Sequence, residues 1–187
     1  MLPTALTYSH QLAKEIILSG DCVVDATMGN GHDTAFLAQL VGPTGHVFAF
    51  DVQKPALIAT EQRLLAADLL DRTTLIHDGH EQFTQYFPKQ TALKLAIFNL
   101  GYLPSSNKQI ITHSEHTLAA IQQMLPVLAK RGRILLVSYY GHPGGQEELD
   151  HVQAFCQTLP QEEYQVMTYQ FINQRNAPPI LFCIEKK

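Results

Sequence analysis

The stretch CVVDATMGNGHDT, residues 22–34, decides the predicted fold, because it joins a short apolar run to a loop that contains two glycines. The run CVV is typical of a buried strand, and Asp25 ends it. After the loop, Phe36, Leu37 and Leu40 share one face of a predicted helix. A strand, a loop with two glycines and a helix are typical of the first unit of a parallel α/β sheet.

Apolar runs that predict strands alternate with amphipathic stretches along the rest of the chain. Further strands are predicted at 47–50, 74–76, 93–98, 134–137, 164–172 and 179–185. This alternation favours an α/β fold with a mainly parallel seven-stranded sheet, a C-terminal antiparallel strand and helices on both faces. The sequence contains no internal repeat or linker, so a single domain over residues 1–187 is predicted.

Capping residues and helix-breaking residues predict where the other helices begin and end. Ser9 is expected to cap the first helix, and Gly20 is expected to end it. The predicted helices lie at about 10–19, from Pro55 onward, from the capping box at 112–115 to Gly132, and at 146–158. Pro126 is expected to kink or divide the third of these helices.

The composition argues against several classes of protein. The chain has 187 residues, with 13 Lys and Arg against 17 Asp and Glu, a net charge of −4 and only 16% charged residues. This balance argues against a protein that coats nucleic acid, which is usually basic, and against disorder. The three cysteines form no CxxC motif, so a reducing cytoplasm is expected. No apolar run has the length of a membrane span, and residues 1–20 lack the apolar core of a signal peptide.

Loops that follow the predicted strands carry the candidate binding residues, because open parallel sheets bind ligands at the carboxyl ends of their strands. Asp51 ends the second strand, 22 residues after Gly29. An acidic residue at this spacing is expected to accept hydrogen bonds from ribose hydroxyls. A dinucleotide-binding motif would have a third glycine where Thr34 stands, so the spacing disfavours a nicotinamide cofactor.

The acid four residues before Gly29 makes this loop resemble the D-x-x-x-G-x-G arrangement of class I S-adenosylmethionine methyltransferases. The resemblance implies a Rossmann-like methyltransferase fold in which the loop holds the methionine part of the cofactor. A polar side chain of the loop at 78–81 would then contact the adenine. For Asp78, the alternative is a helix cap. The cofactor-binding residues that the resemblance implies are Asp25, Thr27, Met28, Gly29, Asn30, Gly31, Asp51, Gln53, Asp78 and His80.

The loop NLGYLP, residues 99–104, resembles the (N/D)-P-P-Y motif of amino-group methyltransferases, with Leu100 and Gly101 in place of the two prolines. In those enzymes a side-chain amide and backbone carbonyls hold the target nitrogen, and an aromatic ring stabilises the cationic transition state. The resemblance implies catalytic roles for Asn99 and Tyr102. The alternative for Tyr102 is a packing role.

Four segments, VVDATMGNGHDTAFLA, FAFDVQ, HDGHEQF and IFNLGYLP, together resemble the rRNA-methylase-like YtqB group, whose assigned activity is that of the MnmM tRNA methyltransferases. The resemblance runs from about residue 8 to residue 185. It implies S-adenosylmethionine as the cofactor and the anticodon region of tRNA as the partner. The implied reaction is methyl transfer to the amine of wobble 5-aminomethyl-2-thiouridine, which gives the methylaminomethyl form.

Several polar and aromatic side chains are candidates for holding the nucleotide, and each has a structural alternative. Tyr8 would otherwise pack at the edge of the core, His142 would be an ordinary loop residue, and Arg175 would lie in a solvated turn. With so few basic residues, RNA recognition is expected from local polar loops or from a second subunit in a homodimer. The candidate substrate-binding residues are Tyr8, His32, Gly101, Pro104, His142 and Arg175.

His113 and His116 have a spacing that could place both on one helix face, but the sequence lacks an HExxH motif, and no metal site is predicted. Three other functions stay open. An rRNA or other RNA-base methyltransferase would use the same loops. An NAD-dependent oxidoreductase is disfavoured by Thr34, and a non-catalytic RNA-binding module is disfavoured by the intact cofactor loops.

Overall fold

The computed structural model describes residues 1–101 and 114–187. The strands within these residues are β1 (Cys22–Asp25), β2 (His46–Phe50), β3 (Thr73–Ile76), β4 (Leu93–Leu100), β5 (Leu128–Ser138), β6 (Tyr164–Tyr169) and β7 (Ile180–Lys186). They form one sheet in the order β3-β2-β1-β4-β5-β7-β6. β7 is antiparallel to both β5 and β6, whereas the other neighbouring strands are parallel. The predicted seven-stranded, mainly parallel sheet with a C-terminal antiparallel strand is therefore confirmed.

Helices cover both faces of the sheet, as predicted. The α-helices within the described residues are α1 (Ala5–Lys14), α2 (His32–Val41), α3 (Lys54–Ala66), α4 (Phe83–Tyr86), α5 (Ser114–Met124) and α6 (Gly145–Thr158). Successive strand residues point to opposite faces, so β1 contributes to two apolar layers. Val23 packs with Leu37 of α2 in one layer, and Val24 packs with Ile121 of α5 in the other.

The first helix begins earlier than the sequence predicted. α1 spans Ala5–Lys14, and the Thr4 hydroxyl caps it by accepting a hydrogen bond from the Thr7 N–H at 3.1 Å. Ser9, the predicted cap, is fully buried inside the helix, where its hydroxyl donates to the Leu6 carbonyl at 2.8 Å. The prediction was wrong because a serine that bonds back to its own helix does not need a terminal position.

The two glycines that were predicted to end helices do not end them. Gly20 lies in the loop between α1 and β1, and Gly132 lies inside β5. The helix α5 stops before Pro126, which lies in a short 3-10 turn at Leu125–Val127. Proline lacks the N–H that a continuing helix needs, so the chain turns there rather than kinking and enters β5.

The remaining differences concern bounds. β6 ends at Tyr169, three residues before the predicted end of that strand. α5 begins at Ser114, within the predicted capping box, whose first two residues, 112 and 113, lie outside the described residues. No helix in 1–101 or 114–187 is long and apolar enough to cross a membrane.

The strand order reverses next to β1, which lies between β2 and β4. In open α/β sheets, such a reversal leaves a crevice at the carboxyl ends of the central strands, and ligands bind there. The residues that follow β1 and β2 and the carboxyl end of β4 lie at this crevice, and they carry many of the predicted site residues.

Candidate active site

The glycine loop, residues 26–31, is fixed by backbone hydrogen bonds to the strands on either side of β1. The Ala26 N–H donates to the Ile97 carbonyl of β4, and the Met28 N–H donates to the Phe50 carbonyl of β2, both at 2.9 Å. The loop therefore bridges the two strands that border the crevice.

Both glycines of this loop have left-handed backbone angles, with φ of 52° at Gly29 and 75° at Gly31. Gly31 is also required by packing, because a Cβ there would lie 2.8 Å from Thr60 Oγ1 and 2.9 Å from its Cα. Arg63 of α3 donates through Nε to the Asn30 carbonyl at 2.7 Å. One side of the loop thus packs on α3, a reason for glycine that the sequence did not reveal.

Asp51 ties the glycine loop to the end of β2. Its carboxylate accepts from the Gly29 N–H at 3.0 Å and from the Gln53 N–H at 2.9 Å. Burial raises the pKa of Asp51, and the two backbone hydrogen bonds oppose this shift. The structure therefore brings the predicted residues Gly29, Asp51 and Gln53 together. Because a carboxylate oxygen can accept more than one hydrogen bond, these contacts leave Asp51 with further acceptor capacity.

Asp25 lies fully buried beneath the glycine loop. Its carboxylate accepts from the Thr34 hydroxyl at 2.6 Å and from the Thr27 N–H at 3.2 Å. Burial, together with the nearby charge of Asp33, raises the pKa of Asp25 to about 7. Asp25 thus holds the loop and the start of α2 from below.

We expect Asp25 to make the free energy of unfolding depend on pH. Its pKa is raised from an ordinary value of 3.8 to about 7, so the folded state binds the proton more tightly than the unfolded state between these values. Ionisation of Asp25 should therefore lower stability as the pH rises from about 4 to 7, by about 4 kcal/mol at most, and add no further change above that range. Urea unfolding of the wild type and of Asp25→Asn at pH 5 and pH 8 measures this effect. A difference between the two proteins that does not change with pH would contradict it.

Asp33 lies in the first turn of α2, directly after the glycine loop, and links this helix to β4. Its Oδ1 lies 2.7 Å from His10 Nε2 of α1, and its Oδ2 accepts from Asn99 Nδ2 at 2.6 Å. The Asn99 N–H also donates to Thr27 Oγ1 at 2.8 Å. Asn99 Oδ1 is buried and has no hydrogen-bond partner among the residues that the structure describes. This end of the amide is an acceptor available to a ligand.

The sequence reasoning missed His10 and Asp33. An acidic residue in the first turn of a helix is ordinary, because it favours the helix dipole. A signal was present, however, since Asp33 lies four residues before Leu37 and eight before Val41, on the face of α2 that is buried. A carboxylate on a buried helix face needs partners, and these could have been sought.

Gly101, at the end of β4, adopts a φ of 153° beside two side chains of the loop after β5. A Cβ at Gly101 would lie 3.3 Å from the Cβ of Tyr139 and 3.6 Å from His142 Nε2. The structure thus brings the predicted residues Gly101 and His142 next to one another. Tyr102 and Pro104, also predicted, lie outside the described residues.

His80 reaches under the glycine loop from the segment after β3. Its Nδ1 donates to the Ala26 carbonyl at 2.9 Å, so Nε2 is the acceptor of the neutral ring. Burial lowers the pKa of His80, which favours this neutral form. Nε2 is buried and has no partner within the described ranges, so it too is an acceptor available to a ligand.

Asp78 does not cap a helix, which was the alternative considered for it. Its carboxylate accepts from the Gly79 N–H at 2.8 Å and from the Tyr86 hydroxyl at 2.9 Å. The short 3-10 turn that follows begins after Gly79 and has no side-chain cap. Asp78 therefore braces Tyr86, whose ring packs edge-on against Phe50 at the end of β2.

Two predicted substrate residues, Tyr8 and His32, contact other parts of the molecule, and a third, Arg175, is exposed. Tyr8 packs on Tyr169, with ring centroids 4.6 Å apart. His32 Nε2 lies 3.1 Å from a terminal nitrogen of Arg63, in an open groove of about 680 Å³ between α2 and α3. Arg175 is exposed in the segment between β6 and β7. The part of the chain that the structure describes contains no group of three or more metal-ligating side chains.

Comparison with known proteins gives matches over most of the chain. Residues 47–185 match the family described as "Putative rRNA methylase". A tRNA (mnm(5)s(2)U34)-methyltransferase of Arabidopsis thaliana, which is chloroplastic, is 36% identical over 191 residues, covering 98% of this chain and 70% of the relative.

Two solved structures share the whole architecture. One, from Clostridium thermocellum and described in the same words as the family, superposes with a TM-score of 0.97 at 44% identity, covering 100% of both chains. The other, a methyltransferase from Streptococcus mutans in complex with SAH, gives a TM-score of 0.91 at 40% identity, again over 100% of both chains. The Rossmann-like methyltransferase fold implied by the sequence is confirmed. The family match and the nearly full-length relative show that this chain belongs to the rRNA-methylase-like family of methyltransferases.

Proposed function

We propose that this protein is an S-adenosylmethionine-dependent tRNA methyltransferase that methylates the amine of wobble 5-aminomethyl-2-thiouridine. One structural observation carries the proposal. The amide of Asn99 has its nitrogen bound to Asp33 and its oxygen buried beside the crevice as an available acceptor. An acceptor at this place suits a substrate that offers an N–H. The 36% identity to the Arabidopsis enzyme supports the choice of tRNA.

The crevice fits S-adenosylmethionine. α2 begins after Gly31 without a side-chain cap, so its N-terminus is suited to a carboxylate such as that of the methionine part. Asp51 and Gln53 lie where ribose hydroxyls would be held. The available acceptor of His80 suits the exocyclic amine of adenine, a donor. When bound, S-adenosylmethionine supplies a methyl group on a positively charged sulfur.

The other predicted cofactor residues fall into two groups. Met28, Gly29, Asn30 and Gly31 form the loop that would contact the cofactor, and Asp25 and Thr27 support that loop from below. Asp78 would act indirectly, through its hydrogen bond to Tyr86.

Asn99 and the backbone of Gly101 hold and orient the target amine. Asn99 Oδ1 accepts a hydrogen bond from the amine, which leaves the nitrogen lone pair directed away from the amide. Gly101 has no side chain and little free space around it, so its backbone lies close to the proposed position of the amine. No covalent intermediate with the protein is needed, because positioning of a neutral amine and exclusion of water suffice. Tyr102 stays the predicted aromatic partner of the cationic transition state.

RNA contacts are proposed at the remaining candidates, Tyr8, His32, Pro104, His142 and Arg175, which would hold the anticodon region. Because the net charge is −4, these contacts are local rather than part of a broad basic face. Because the chain carries so few basic residues, we also propose a homodimer, in which the second subunit would supply further contacts to the RNA. A cytoplasmic location is proposed from the cysteine pattern.

The test compares two RNA substrates. Total tRNA and ribosomal RNA from a strain that lacks this gene are incubated with the protein and S-adenosylmethionine, and the nucleosides are then identified by mass spectrometry. We expect 5-methylaminomethyl-2-thiouridine to appear in the tRNA at the expense of its aminomethyl precursor.

Three other results would each replace the proposal. Methylation confined to ribosomal RNA would support the second candidate function, an rRNA methyltransferase, which the family description favours. Binding of a nicotinamide dinucleotide without S-adenosylmethionine would support an oxidoreductase. Binding of tRNA without any affinity for S-adenosylmethionine would support a non-catalytic RNA-binding module.

A further inference from the structure

We propose that Asp33 and His10 are positioning residues for methyl transfer, which fix the Asn99 amide with its oxygen turned toward the acceptor amine. This inference rests on the proposed function, since it assigns what sets the direction of the Asn99 side chain. Neither residue belongs to the loops from which the cofactor and substrate contacts are argued.

The three side chains form a continuous chain of short hydrogen bonds. His10 Nε2 lies 2.7 Å from Asp33 Oδ1, and Asn99 Nδ2 lies 2.6 Å from Asp33 Oδ2. The side chain of Asp33 is only 7% exposed, and that of His10 is 28% exposed. The chain of bonds thus runs from the partly exposed α1 to the end of β4 through a buried carboxylate.

Asp33 determines which end of the amide faces the crevice. The two ends of an asparagine amide are nearly equal in shape, but an ionised carboxylate only accepts hydrogen bonds. A flipped Asn99 would set its own oxygen against Asp33 Oδ2, where two acceptors would repel. The amide nitrogen is therefore held on Asp33, and the oxygen is presented where it is buried without a described partner.

His10 determines where Asp33 points. The ring of His10 stacks on Phe36 of α2, with centroids 4.2 Å apart, which fixes it against the same helix that carries Asp33. Because the carboxylate accepts only, His10 Nε2 carries the proton of this hydrogen bond. With both oxygens of Asp33 bonded to donors on different elements, the carboxylate has one favoured rotamer.

The central experiment exchanges the carboxylate at position 33 and the amide at position 99. In Asn99→Asp, two carboxylates face one another, and we expect kcat to fall at least about 100-fold. In the double variant Asp33→Asn with Asn99→Asp, the new amide accepts from His10 through its oxygen and donates to the new carboxylate through its nitrogen. The free oxygen at position 99 is then again an acceptor, and we expect kcat to recover at least about tenfold over Asn99→Asp.

A purely structural role for Asp33 would not give this recovery. The Kd for S-adenosylmethionine and the melting temperature are measured for every variant, and we expect the loss and the recovery in kcat rather than in cofactor affinity. No recovery in a double variant that folds and binds S-adenosylmethionine would overturn the proposal.

A second pair of variants decides the matter even if the exchanged protein does not fold. His10→Ala is compared with His46→Ala, because His46 also makes one 2.7 Å side-chain hydrogen bond, to Thr74, but at the start of β2. We expect kcat to fall about tenfold in His10→Ala and to stay unchanged in His46→Ala. A wild-type kcat in His10→Ala would overturn the proposal. Failure of the wild type to methylate any tRNA would instead refute the proposed function, so the two failures are distinguishable.

Discussion

Asn99→Ala is expected to lower kcat for methyl transfer to tRNA by about 100- to 1000-fold, the range typical of losing one preorganised polar group that acts on the reacting atoms. The substitution removes the acceptor that would orient the amine and leaves Asp33 Oδ2 without its 2.6 Å donor. The Kd for S-adenosylmethionine should change little, because the Asn99 side chain contacts Asp33 and not the residues proposed to hold the cofactor. Single-turnover rates with tRNA from the deletion strain measure the first quantity, and calorimetry measures the second.

Gln123→Ala is the matched control, because it also removes an amide that makes two hydrogen bonds. Gln123 donates to the Glu81 carbonyl at 2.6 Å and accepts from the Thr84 N–H at 3.2 Å. These contacts join α5 to the segment around α4, and kcat should stay close to that of the wild type. An Asn99→Ala protein that binds S-adenosylmethionine normally and methylates at the wild-type rate would refute the catalytic assignment.

Gly31→Ala is expected to lower the free energy of unfolding by about 2–4 kcal/mol and to weaken S-adenosylmethionine binding. The φ of 75° alone costs an alanine about 1 kcal/mol. The added Cβ would also lie 2.9 Å from the Thr60 Cα, so backbone and not only a side chain must move. Overpacking of this kind costs about 1–3 kcal/mol. Urea unfolding and calorimetry with S-adenosylmethionine measure the two effects.

Gly20→Ala isolates the packing contribution. Gly20 also has a left-handed backbone, with φ of 97°, but its Cβ would meet only Thr44 Oγ1 at an ordinary 3.6 Å. This variant should lose about 1 kcal/mol and keep its cofactor affinity. Equal losses in the two variants would show that the contact between the glycine loop and α3 contributes nothing.

Much of the fold followed from local patterns in the sequence, because the strands of a parallel sheet are short apolar runs that end at polar loops. The pairing of Gly29 with Asp51 was predictable for the same reason, since the carboxyl ends of neighbouring parallel strands lie at one edge of the sheet. The bounds of α1 and α5 were not predictable, because residues near each helix terminus are compatible with more than one boundary. Ser9 could begin a helix or bond within one, and Pro126 could kink a helix or end it.

The contacts among the positioning residues could not be predicted, because the partners are distant in the sequence. His10 and Asp33 are 23 residues apart, and Asp33 and Asn99 are 66 apart. No local pattern relates such positions. Only the packing of α1 against α2, and of α2 over the sheet, brings these three polar groups into contact.

The sheet order has a consequence for how the chain folds during synthesis. β7 lies between β5 and β6, although it follows both of them in the chain. Until β7 has left the ribosome, β5 lacks its second neighbour and β6 has no place in the sheet, so both strands keep unpaired edges that could join other chains. The strands that border the crevice, β1, β2 and β4, are synthesised well before this. The crevice can therefore take shape first, and the arrival of β7 then pairs the open edges of β5 and β6.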